Sequence, residues 1–134
     1  MNLLLDTHII IWALNDDPAL SEQARAYILD PDNRIYYSVV SVWEVLLKHS
    51  RRPDAIPFDE HDFCDGCRAA GFIPLHLTEK HILSVRSLTR PSDAKEHHDP
   101  FDRLLLSQAK TEGFFLMTHD TLLPDYEERC ILSV

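Results

Sequence analysis

The sequence predicts an α/β protein whose parallel sheet is covered by helices on both sides. Three observations carry that reading. Short β-branched, leucine-rich or aromatic runs alternate with helical patterns along the whole chain, the order that builds parallel sheets through right-handed crossovers. The first run, Leu3-Leu4-Leu5, is apolar at every position rather than at alternate ones, as in a strand buried on both faces. No linker is long enough to separate two units, so the 134 residues are expected to form one domain.

The elements follow in order. The first strand stops on Asp6, which in an open α/β sheet is the rim where ligands bind. Ile9 to Leu14 reads as a short helix broken by Asp16-Asp17-Pro18. Ser21 caps a helix to about Leu29, with Ala24, Tyr27 and Ile28 on one face, and Asp30-Pro31-Asp32-Asn33 is a turn. Ile35 to Val39 is a second strand. Ser41 opens a helix to about His49 with Val42, Val45 and Leu46 as its apolar face, and a polar loop, Ser50 to Asp54, follows. Asp59 to Ala70 is helical, with Phe63, Cys64, Cys67 and Ala70 on one stripe and Gly71 as its stop. Phe72 to Leu75 is a third strand, and Thr78 caps a helix carrying Ile82 and Val85. After a polar loop, Arg90 to His98, Pro100 sits in the first turn of a helix that runs to Glu112 and closes on Gly113. Phe114 to Thr118 and Ile131 to Val134 complete the strands.

Composition narrows the class. Hydrophobic residues at 45% and charged residues at 26% suit a soluble globular protein. The longest apolar run, Ile9 to Leu14, is far too short to span a bilayer. The N-terminus lacks a basic start and a small-residue cleavage site, so no signal peptide is expected. Three cysteines without a disulfide framework point to a reducing cytoplasm. Lys plus Arg is 13 and Asp plus Glu is 22, a net charge of −9. Proteins that bind nucleic acid by neutralising phosphates are usually basic. Two bound divalent cations would add four charges and still leave this chain acidic. Any nucleic-acid substrate must then be held by a local basic patch, a partner or a metal, not by the overall field.

Five acids are the candidates for chemistry, and each has a bland reading. Ser41-Val42-Trp43-Glu44 matches a capping box, Asp99 before Pro100 is an ordinary N-cap, Asp102 suits the helix dipole, and Asp120 follows a strand as turn residues do. Asp6 is hardest to dismiss, because a carboxylate ending a buried apolar strand needs a partner. Together they change meaning. Asp6 and Asp120 end two strands, while Glu44 and Asp102 fall in the first turns of helices, all expected at one rim. Like charges packed there either protonate or bind a hard cation. Oxygen-only ligands suit Mg²⁺ or Mn²⁺ more than zinc, and a pair of such ions can activate water against a phosphodiester.

Leu3-Leu4-Leu5-Asp6-Thr7-His8, Ser38-Val39-Val40-Ser41-Val42-Trp43-Glu44, His98-Asp99-Pro100-Phe101-Asp102-Arg103-Leu104-Leu105 and Leu116-Met117-Thr118-His119-Asp120 resemble, in order and spacing, the PIN domains, specifically the VapC-type toxins of toxin–antitoxin pairs. The resemblance implies a three-layer α/β/α sandwich with a central, mainly parallel sheet, and a metal-dependent endoribonuclease. It also implies a homodimer inhibited by a cognate antitoxin in a toxin–antitoxin hetero-oligomer. Family ligand positions fall on Asp6, Glu44, Asp102 and Asp120. Asp99 is the extra acid of the Asp-Pro-Phe-Asp-Arg subgroup and ranks below Asp102. Thr118 is the strand-end hydroxyl that orients an acid in similar proteins, and Arg103 could pair with a site carboxylate or the scissile phosphate. Thr7 reads as a helix cap.

Other features read as structural. Cys64, Cys67 and His61 lack a second Cys/His pair, which disfavours zinc. His97 and His98 are expected to be solvated, although either could shuttle protons. Arg51 and Arg52 could contact phosphate, and Tyr36, Tyr37 and Trp43 suit a core or interface more than a base-stacking platform. Two rivals remain. A Mg²⁺-dependent phosphatase would use Asp6 as phosphoryl acceptor, but it needs a second aspartate nearby and His8 stands two residues on. A non-catalytic module would use the acidic rim to bind a basic partner.

Overall fold

The computed structural model describes residues 1–134. Its strands are β1 (Asn2–Leu5), β2 (Arg34–Ser38), β3 (Ile73–Leu75), β4 (Phe115–Thr118) and β5 (Ile131–Ser133). Its helices are α1 (Thr7–Leu14), α2 (Glu22–Leu29), α3 (Val39–Arg51), α4 (Glu60–Ala69), α5 (Glu79–Leu83) and α6 (Pro100–Glu112). The sheet order is β3-β2-β1-β4-β5, and every pairing is parallel. The chain builds outward from β1 to one side, then returns to build on the other. That places the topological switch point between β1 and β4, where open α/β sheets form their ligand crevice.

The α/β/α sandwich follows from the pleat. Leu3, Leu4 and Leu5 are wholly buried, and alternate side chains of a strand face opposite sides. Leu3 and Leu5 join one core with Ile9, Ile10, Phe63 and Cys67, from α1 and α4. Leu4 joins the other with Leu105, Leu106, Ala109 and Leu116, centred on α6. Helix α3 lies at the junction, giving Val45 to the first core and Val40 to the second. No helix is long and apolar enough to cross a membrane.

Several boundaries differ from those expected. Strand β2 ends at Ser38, whose Oγ accepts a hydrogen bond from Val40 N at 3.0 Å and caps α3. The helix therefore begins before Ser41, and the expected Ser41–Glu44 capping box does not form. Ser41 is buried inside the helix, and Glu44 lies in its second turn rather than its first. Helix α1 starts at Thr7, directly after Asp6. In α5 the buried side chain is His81, while Ile82 is exposed. A capping box with Thr78 turns His81 inward, and its Nε2 lies 2.8 Å from Glu112 Oε1, so a polar network replaces the expected apolar face. Ala70 is exposed rather than part of the α4 stripe. Cys64, Cys67 and Cys130 are free thiols, and burial pushes the Cys67 thiol up to about 12, which makes it inert as a nucleophile.

Helix α6 stops where the chain turns left-handed at Gly113, φ 72° and ψ 27°. A Cβ there would meet nothing within 4 Å, so the conformation alone requires glycine. Gly113→Ala should lower stability by about 1 kcal/mol, read as a reduced urea midpoint with an unchanged m value.

Candidate metal centre

Strands β1 and β4 lie side by side with Leu5 opposite Met117, and Asp6 N donates to Met117 O at 3.0 Å, extending that pairing by one residue. Their carboxyl ends therefore open on one rim. Asp6 is the N-cap residue of α1, and Asp120 lies just past β4. Helix α3 brings Glu44 from the β2 side, and the start of α6 brings Asp99 and Asp102 from the opposite layer. Asp6, Glu44, Asp99, Asp102 and Asp120 line one cavity of about 170 Å³, with His8, Trp12 and His119 as its aromatic wall. Trp12 stacks edge-on against His119 at 5.6 Å between ring centroids.

Four of the five acids are anchored through one oxygen. Thr118 Oγ1 donates to Asp6 Oδ2 at 2.7 Å. Asp99 Oδ1 caps α6, accepting from Phe101 N at 2.9 Å and Asp102 N at 3.1 Å. Asp120 Oδ1 accepts from Leu122 N at 2.7 Å and Leu123 N at 3.0 Å. Asp102 Oδ2 lies 3.3 Å from His97 Nε2. The second oxygen of each has no protein partner, and none of these oxygens is buried away from solvent. Glu44 differs. Its Oε1 accepts from Thr7 Oγ1 at 2.7 Å and its Oε2 pairs with Lys48 Nζ. Thr7 and Ser41 hydroxyls are hydrogen-bonded at 2.8 Å.

The electrostatics follow from crowding. Burial raises the Asp6 carboxyl above its ordinary value, opposed by the Thr118 hydrogen bond and His8 and reinforced by Glu44 and Asp120. Burial, then the charges of Asp6, Asp99, Asp120 and Glu44, push Asp102 up to about 8. Burial pulls Lys48 down, but its hydrogen bond and ion pair with Glu44, helped by Asp99 and Asp102, outweigh that and hold it high. No three His, Cys, Asp or Glu side chains already stand in a set that could hold one ion. Lys48 pairs with Glu44 alone and does not line this cavity, and like charges without a cation among them do not draw together. The donor chemistry nonetheless fits a hard divalent cation: oxygen ligands only, carboxylates on rigid elements, and a free oxygen on four of them.

The match to a known family settles what this arrangement belongs to. Residues 3–128 match the PIN domain. The chain belongs to the PIN domain family. Among solved structures this PIN domain is similar to VapBC2 from Rickettsia felis bound to a DNA fragment from its promoter. The two share 18% identity, with a TM-score of 0.72, over 99% of this chain and 98% of that one. It is also similar to VapBC-1 from nontypeable Haemophilus influenzae, with 18% identity and a TM-score of 0.53 over 90% of this chain and 87% of that one. No curated protein matches it in sequence.

Two positions in this PIN domain, Thr7 and His97, depart from their sequence reading, and Arg103 forms none of the carboxylate pairs that were one of its two alternatives. Thr7 makes no side-chain cap; its hydroxyl is committed to Glu44 across the rim. His97 is not solvated, because its ring is 3% exposed and bridges Asp102 to the Tyr126 hydroxyl, 2.8 Å from Nδ1. Its neighbour His98 is exposed against Glu96. Arg103 is absent from the cavity lining and from every salt bridge, and it lies near Tyr126 instead. Lys48 is a site residue that the sequence reading misses. Its one signal is the i,i+4 spacing from Glu44, which places the two on one helix face.

An acid whose folded pKa is raised above its unfolded value takes up a proton on folding between the two. Its contribution is then present at low pH and lost as pH rises from about 4 to about 8, the interval set by the ordinary and folded values of Asp102. The stability of the metal-free protein relative to Asp102→Asn should therefore fall across that range, by up to a few kcal/mol. Urea titrations of both proteins at several pH values measure it. Added Mg²⁺ should recover the loss in the wild type and not in the variant.

Proposed function

We propose that this PIN domain is a Mg²⁺- or Mn²⁺-dependent endoribonuclease and the toxin of a toxin–antitoxin pair, working in the cytoplasm. The observation that carries the reading is the single cavity shared by Asp6, Glu44, Asp99, Asp102 and Asp120 at the switch point of the sheet. Two of those carboxyls are pushed above their ordinary range, by burial and then by their acidic neighbours, which supports a functional site here. The likeness in fold to the two VapBC structures and the four VapC-like motifs support a cognate antitoxin as partner, with a homodimer as the unit that it binds.

Asp6, Asp99, Asp102 and Asp120 would hold the cation through their free oxygens, and Glu44 would join by exchanging Lys48 for it. When bound, the ion supplies charge neutralisation at the phosphodiester and activation of water. The protein's own part is placement. Thr118 fixes the Asp6 carboxylate, the α6 N-terminus fixes Asp99, and His97 fixes Asp102. None of the cysteines lines this cavity, and no protein nucleophile is required. Single-stranded or looped RNA is the substrate proposed, because splayed bases are what proteins read in RNA.

One observation favours a second reading. Lys48 already neutralises Glu44 at the rim, and a basic side chain of a partner could neutralise the remaining acids in the same way. On that reading the cavity is a binding site alone.

Asp6→Asn removes one charge and keeps the shape. It should reduce Mn²⁺-dependent cleavage of single-stranded RNA by about 10²-fold or more while leaving the unfolding transition cooperative, and it should relieve toxicity on induction in cells. Chelation with EDTA should stop the wild-type reaction. A folded Asp6→Asn protein that still cuts RNA would sink the scheme. A wild type that neither binds Mn²⁺ nor cuts RNA would leave only the binding module.

A further inference from the structure

A second cavity, of about 240 Å³, adjoins the acidic one and shares His8 and Glu44 with it. It lies between α1, α3 and the loop that leads to α4. Ile11, Ala55 and Ile56 form its apolar wall, with Val45 wholly buried, and Lys48, Arg51 and Arg52 also line it. We propose that this is the subsite for the nucleotide next to the scissile phosphate, with the base against the apolar wall and its phosphate on the two arginines. The assignment rests on the ribonuclease reading above.

The argument begins with charge. In a chain of net charge −9, acidic partners are abundant, yet Arg51 and Arg52 enter no salt bridge. Arg51 in the last turn of α3 is favoured by the helix dipole, so its position alone would mean little. Arg52 lies past the helical residues, and both are exposed side chains that border the cavity. Guanidinium groups beside an apolar wall match the two halves of a nucleotide, a phosphate and a flat ring.

Size and position agree. The cavity is smaller than a drug-sized pocket and takes one nucleobase with part of its sugar. Its neighbour across Glu44 and His8 is the acidic cavity, so a strand with one phosphate among the carboxylates would lay its next residue here. A peptide threaded through both cavities meets opposite demands. The acids select basic side chains, and Arg51 and Arg52 repel them. An RNA strand satisfies both once a cation sits among the acids.

The test measures RNA binding and cleavage separately. A short fluorescent single-stranded RNA is titrated with full-length protein in Ca²⁺, over a range of salt. Arg51→Ala with Arg52→Ala should weaken binding on the order of tenfold and reduce the log–log salt slope by about 0.7, for the one phosphate that is no longer neutralised. Ala55→Trp fills the cavity from an exposed loop position. It should weaken binding to a similar degree and leave the salt slope as it is. Mn²⁺ affinity should be the same in all three proteins.

Unchanged RNA affinity in both variants overturns the subsite. A lowered salt slope with no effect of Ala55→Trp also overturns it, by reducing the site to a bare basic patch. Unchanged RNA affinity with abolished binding of a labelled acidic peptide would give the cavity to a protein partner and overturn it as well. Failure of the parent reading looks different. A wild type that binds RNA through these residues and never cuts it keeps the subsite and ends the nuclease.

Discussion

The mutual repulsion of carboxylates gathered at the ends of β1 and β4 is the constraint on which the rest of the structure depends. A parallel pair must end on the same side, so the side chains that follow β1 and β4 become neighbours without choice. Here Asp6 directly follows β1 and Asp120 lies two residues past the end of β4. The fold then adds three more acids from α3 and α6. Buried like charges are unfavourable unless protonated, paired or ligated. The protein answers with fixed donors. One oxygen of each of four acids is tied to a hydroxyl, an imidazole or backbone N–H groups, and Glu44 is tied through both. Burial first, and then the charges of the neighbouring carboxylates, raise the pKa of Asp6 and Asp102. The surrounding framework, a central strand buried on both faces with a core on each, keeps the elements carrying these acids from swinging apart.

Much of this was legible in the sequence because the signals were local. Leu3-Leu4-Leu5 announced the central strand, since only burial on both faces tolerates a fully apolar run. Pro100 and Gly113 marked the ends of α6, because one lacks an N–H where none is needed and the other adopts a left-handed turn. Ser21 caps α2 at the expected place, and Asp59, where the fourth helix was expected to begin, caps α4. The gathering of Asp6, Glu44, Asp99, Asp102 and Asp120 at one rim followed from strand–helix alternation, which is a rule of topology rather than of local pairing.

The misreadings have a common cause: a polar side chain chose a tertiary partner over a local one. Ser41 and Glu44 have the spacing of a capping box, yet α3 begins at Val39 because Ser38, at the end of β2, caps it first. That shift of register turns Ser41 and Glu44 inward toward Thr7. Thr7 in turn gives up a capping role that its position allowed. His97 and His98 look equivalent in a polar loop, and the packing of Tyr126 separates them: His97 lies edge-on to that ring at 5.4 Å, while His98 remains outside. Arg90 also stands over the Tyr126 ring, 4.7 Å from its centroid. The loop that presents His97 to Asp102 is thus pinned at both ends by one aromatic ring from a distant part of the chain. No local pattern encodes such partners.

The same distinction bears on how a protein this acidic can act on a polyanion. Its overall field repels RNA, and the acidic cavity repels it most. Two features reverse the sign within short range. Lys48 is held charged beside Glu44 by the acids around it, and it lines the second cavity while its partner Glu44 lines both. Beyond it, Arg51 and Arg52 extend positive charge away from the rim. A cation among the carboxylates would then complete a continuous favourable path from the arginines to the end of β1. The approach of RNA and the filling of the acidic cavity would become coupled, since each removes repulsion felt by the other. On the proposed ribonuclease reading the acidity of the chain would act as a filter: without the ion, RNA would be turned away from the carboxylates.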